Sequence, residues 1–69
     1  MIQIQKLKGL IVGNGLLQKD VAKHLGMSER TFYNRLKKGI FNNLEISTMV
    51  VLLKIKDPME IFFENEFTQ

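Results

Sequence analysis

Residues 18–36 read Gln-Lys-Asp-Val-Ala-Lys-His-Leu-Gly-Met-Ser-Glu-Arg-Thr-Phe-Tyr-Asn-Arg-Leu. Val21, Ala22 and Leu25 fall on one face of a helix over residues 18–25. Gly26 then breaks the chain, because a residue without Cβ adopts positive φ at little cost. Ser28 is placed to cap a following helix through its hydroxyl, and Glu29 in the first turn suits the positive end of the helix dipole. Phe32 and Leu36, four apart, form the inner face of that helix, which Gly39 stops.

This is the pattern of a helix-turn-helix. Two helices crossing at a wide angle need a small residue where they touch, which Ala22 supplies, and a tight turn, which Gly26 supplies. Val21, Leu25, Met27 and Phe32 lie at offsets that lock the pair together. The second helix opens with Ser28, Glu29, Arg30 and Thr31, short or polar residues that let its N-terminal end approach base edges.

Outward from the motif, Ile4, Leu7, Leu10 and Ile11 keep helical spacing and predict a first helix over about residues 3–12, ended by Gly13-Asn14-Gly15. Residues 1–5 also alternate as a strand would. Asn42 and Glu45 form a capping-box pattern for a helix over about residues 44–55. Its apolar residues surround it: Ile46, Met49, Val50 and Leu53 on one side, Leu44, Val51, Leu52 and Ile55 elsewhere. A helix apolar nearly all round is buried or shared with a partner. Asp57-Pro58-Met59-Glu60 signals a short fifth helix reaching Phe62 or Phe63. Residues 64–69 read as a turn or an edge strand. The expected fold is therefore all-α, five helices in a single domain over residues 1–69.

The 69 residues hold 45% hydrophobic side chains, enough for a core, and no cysteine, which rules out disulfides and thiolate zinc sites. No signal peptide and no stretch of about 18–20 apolar residues is legible, so a cytoplasmic location without membrane insertion is expected. Charge is divided along the chain. Residues 1–40 carry eight basic and two acidic side chains, or +6, and residues 41–69 two basic and five acidic, or −3. The basic part suits a polyanion. One histidine, no glycine-rich phosphate loop and no catalytic carboxylate pair argue against an enzyme, and no cofactor or metal is expected. Asp57 and Glu60 are accounted for by capping, and His24 by the solvent edge of the first motif helix.

The run from Gln18 to Phe32 resembles the Cro/CI-type (lambda-repressor-like) helix-turn-helix family, and in particular small Cro-like regulators from phages of Gram-positive bacteria. The Asn-Leu-Glu-Ile of residues 43–46 and the Leu-Lys-Ile-Lys-Asp-Pro-Met-Glu-Ile-Phe-Phe of residues 53–63 extend the likeness over nearly the whole chain. The resemblance implies a compact lambda-repressor-like domain that binds a double-stranded DNA operator and regulates transcription, as a repressor of phage or prophage type acting on the nucleoid. It assigns base contacts to Ser28, Glu29, Arg30, Tyr33 and Asn34. Phosphate contacts fall to Gln18, Lys19, Lys23, Lys37, Lys38 and Asn42. The chemistry agrees: Arg pairs with guanine, Asn with adenine, and Glu accepts from cytosine. A homodimer is implied, with the fourth helix and the Phe62, Phe63 and Phe67 region as its expected interface. Those phenylalanines serve equally as core closure.

Two residues depart from the family pattern. Leu17 stands where the family places a Thr or Ser cap, and Arg35 where it buries a large apolar residue, with Leu36 one place later. The second departure predicts a rotated or extended recognition helix beyond Thr31. Two rival readings are an excisionase-like architectural protein, suggested by residues 15–22 and 37–41, and an antirepressor-type protein-interaction module, suggested by the acidic, phenylalanine-rich end.

Overall fold

The structure, a computed structural model, describes residues 2–62. Five helices follow one another: α1 (Ile4–Gly13), α2 (Gln18–His24), α3 (Glu29–Lys38), α4 (Asn43–Leu52) and α5 (Pro58–Phe62). No strand occurs among the described residues. The all-α expectation holds, with α1 starting and ending one residue later than the sequence suggests. The readings at Phe63, at Phe67 and over residues 64–69 lie outside the described residues.

Starts of helices follow their side chains. Ser28 Oγ accepts the Thr31 N–H at 3.1 Å and opens α3. Asn42 Oδ1 accepts the Glu45 N–H at 2.7 Å, and the Glu45 carboxylate accepts the Asn42 N–H at 3.0 Å, completing the box that opens α4. At α2 only half of such a box exists. Leu17 has no side-chain acceptor, but Asp20 Oδ2 accepts its N–H at 2.8 Å.

The ends of α1 to α4 share one device. A residue with positive φ follows each helix, and the next residue's N–H returns to a carbonyl five positions back. The pairs are Leu16 to Ile11, Met27 to Ala22, Ile40 to Arg35 and Ile55 to Val50, at 3.0–3.1 Å. Glycine fills the left-handed position in the first three, including Gly26 at φ +76 inside the motif. The fourth is Lys54, at φ +55. This explains why α4 stops at Leu52, short of the expected residue 55: the backbone reverses at a lysine, in a stretch where apolar spacing alone continues.

The core is apolar throughout. Leu7 and Ile11 from α1, Val21 and Ala22 from α2, Phe32 and Leu36 from α3, Met49 from α4, and Leu53, Ile55, Ile61 and Phe62 after it are all buried, with Ile2 beneath. Among the described residues no polar or charged side chain is buried. Full burial of a Leu, Ile, Phe or Met contributes about 1.5–3 kcal/mol. The α2–α3 pair is the most closely apposed, so the motif is a unit seated on the remaining helices. Polar ties at the rim close the fold. The Gln3 N–H donates to the Ile61 carbonyl at 2.8 Å, Lys6 pairs with Glu60, and the Asn14 amide donates to both Leu10 O at 2.8 Å and Leu53 O at 3.0 Å. That last contact joins the C-terminal ends of α1 and α4.

Candidate nucleic-acid interface

Phe32 and Leu36 are buried and fix the inward direction of α3. At about 100° per residue, the direction opposite them falls on Asn34, with Arg30 and Lys38 to either side and Lys37 next. All four are exposed, as is Tyr33 at 45%. Arg30, Tyr33 and Asn34 therefore stand off the core. Glu29, also exposed, lies about 140° around the helix from Asn34, toward the inner flank. The outward strip is thus cationic and polar, with Glu29 at its margin.

Local contacts set the posture of these groups. The Lys37 ammonium lies 5.3 Å from the centre of the Tyr33 ring, a cation–π pair that orients the ring along the helix. Ser28 Oγ, besides capping, donates to Thr31 Oγ1 at 3.0 Å, so much of its hydrogen-bonding capacity is spent within the helix. On α2, Lys19 and Lys23 are exposed and Gln18 is half-buried at the first turn. His24, at the exposed end of α2, has its Nδ1 2.9 Å from the Asp20 carbonyl, which agrees with a solvent-edge residue. Asn42 is exposed, with its Oδ1 committed to the α4 cap.

The two ion pairs among the described residues, Lys6–Glu60 and Arg35–Glu45, use none of Lys19, Lys23, Arg30, Lys37 and Lys38. These five cations remain uncompensated by ion pairing, and all of them belong to the α2 flank and the outer strip of α3. No group of three or more metal-ligating side chains occurs among the described residues. No described helix is long and apolar enough to cross a membrane.

The departure at Arg35 has a structural explanation. Phe32 and Leu36 carry the buried face at i and i+4, and Arg35 lies half-buried beside them. Its Nε donates to the Ile40 carbonyl at 3.0 Å, its guanidinium pairs with Glu45, and it sits 5.6 Å from the Phe41 ring centre. Phe41 in turn packs on Phe32 with ring centres 5.8 Å apart. Sequence reasoning missed this cluster. The available signal was an arginine on the flank of one helix followed by a capping-box glutamate on the next.

A helix-turn-helix family model described as "Bacterial regulatory protein, Fis family" matches residues 17–39, a third of the chain. The match begins at the α2 N-cap and ends at the glycine that closes α3. The chain carries a helix-turn-helix DNA-binding domain. The helix-turn-helix so defined is α2, the Gly26 turn and α3, with α3 in the place of the recognition helix. No curated protein and no solved structure matches the chain.

Proposed function

We propose that this protein is a sequence-specific regulator of transcription that inserts α3 into the major groove of a double-stranded operator. The observation that carries the reading is the outward strip of α3, where Arg30, Asn34, Lys37 and Lys38 are exposed and free of ion pairs opposite the buried Phe32 and Leu36. Arg30, Asn34 and Tyr33 read base edges, with Ser28 and Glu29 at the helix start. Gln18, Lys19, Lys23, Lys37, Lys38 and Asn42 hold phosphates on either side. Phosphate contacts place the protein on the duplex and base contacts choose the sequence. The likeness of residues 18–32 and 43–63 to Cro-like phage regulators supports a prophage or phage repressor acting on DNA in the bacterial cytoplasm, without catalytic activity.

A single module of this size covers too little DNA for high specificity, so the active form is a homodimer on paired half-sites. Its interface is the outer face of α4, where Leu44 is 76% and Val51 79% exposed, one heptad apart with Ser47 and Thr48 between them. That face carries no charge, so two cationic copies can approach through it.

The antirepressor reading rests on the acidic, phenylalanine-rich end, of which residues 63–69 lie outside the described residues. The excisionase-like reading needs a strand wing after the motif, and α4 occupies that place. Selection from randomised duplexes, with the mass in solution measured alongside, tests the proposal. Enrichment of a paired-half-site sequence and a two-chain mass are expected. Equal binding to every duplex would remove the operator reading.

A further inference from the structure

The cluster around Arg35 lies at the rim of the proposed interface. Glu45 is the acid in question. Its carboxylate is 3.0 Å from the backbone nitrogen of Asn42, the residue that extends the phosphate-holding edge beyond α3. A bare carboxylate there would repel a phosphodiester on the same edge, because like charges a few ångströms apart at a partly solvated surface are incompletely screened. Arg35 reaches across the Gly39 turn to this carboxylate. Its side chain is 31% exposed and that of Glu45 14%, so neither charge is fully screened by water. The same guanidinium holds the Ile40 carbonyl at 3.0 Å and lies against Phe41, fixing the three residues that lead from α3 to Asn42. A lysine could not do all of this, because a single ammonium lacks the planar fork that serves a carbonyl and a carboxylate at once.

We propose that Arg35 is a positioning residue for duplex binding: it cancels the Glu45 carboxylate beside Asn42 and fixes the α3–α4 connection, keeping the phosphate-facing edge electropositive. The inference rests on the duplex-binding reading above. Arg35 itself touches no DNA, which separates it from Arg30, Lys37 and Lys38. The arrangement also resolves a conflict built into α4: its capping box requires an acceptor at position 45, and the natural acceptor brings a negative charge to a surface that must attract an anion.

The test uses the full chain and a fluorescent duplex obtained by selection, with fluorescence anisotropy across a salt series and circular dichroism melting of each variant. Glu45→Gln keeps the cap, since a glutamine carbonyl accepts the Asn42 N–H equally well. Arg35→Met is expected to weaken binding by about tenfold, and Arg35→Met/Glu45→Gln to recover to within about threefold of the native protein. Glu45→Gln alone is expected to tighten binding by about threefold and steepen its salt dependence, because an uncancelled cation then stands beside the DNA. A double variant as weak as folded Arg35→Met overturns the proposal, as does native affinity in Arg35→Met. If Arg35→Met does not fold, Glu45→Gln decides: unchanged affinity and salt slope overturn the proposal. Failure of the native chain to bind any duplex would instead sink the duplex-binding reading.

Discussion

Helices α3 and α4 are each ten residues long, each opened by a side-chain cap and each anchored in the same core, yet their outer faces differ. α3 turns Phe32 and Leu36 inward and presents Arg30, Asn34, Lys37 and Lys38 to solvent. α4 turns Met49 inward and presents Leu44 and Val51. The difference separates what folding demands from what it leaves open. Burial requires one apolar stripe per helix, and both helices supply it. The opposite stripe is unconstrained by the monomer. On α3 it is suited to an anion and on α4 to an apolar surface, which is the division of labour that the proposed dimeric regulator requires.

The contrast can be attacked from its common foundation first. Phe32→Ala removes the fully buried ring that holds α3 and packs, tilted by 45°, on Phe41. A loss of about 3–5 kcal/mol in urea denaturation is expected, enough to unfold a small domain at ambient temperature. Arg30→Ala acts on the outer face of α3 alone. Discrimination between the selected operator and single-base variants should fall by about 1–3 kcal/mol, with the melting temperature and the solution mass unchanged. A shift in association state with this variant would break the separation of roles.

Val51→Asp is the matching attack on α4. Sedimentation equilibrium should show dimer dissociation at least about tenfold stronger, or about 1.4 kcal/mol, without loss of monomer stability. Intact dimers would move the interface elsewhere on the molecule. The smallest expected effect comes from Lys54→Gly, at the one left-handed position of the shared helix-ending device that lacks glycine. Relief of the Cβ conflict should raise stability by about 1 kcal/mol in thermal melts, with DNA affinity unchanged.

Much of this was legible in the sequence because it is local. Gly26, Ser28, Asn42 with Glu45, and Pro58 each declare a helix boundary through contacts within three or four residues, and each acts as read. The exposed strip of α3 follows from the same periodicity that buries Phe32 and Leu36. Contacts that span a turn were not legible. Arg35 finds Glu45 ten residues away only because the backbone reverses at Gly39, and its half-buried setting contradicts the usual expectation for a charged residue. The end of α4 was hidden for another reason: a lysine in a left-handed conformation leaves no compositional mark, and the apolar run continues past it. The apolar belt around α4 was visible in the sequence, but which of its residues face outward depends on how the helix is rotated in the bundle, and that is decided by Met49 and Leu53 finding the core.

The Asn14 side chain has a consequence of its own. A single nitrogen bonds two carbonyl oxygens that belong to different helices. The position therefore accepts a hydrogen donor and refuses an acceptor, whatever its shape. Aspartate matches asparagine almost atom for atom, but would set oxygen against oxygen on both sides. At this latch, polarity rather than bulk determines which replacements the protein can live with.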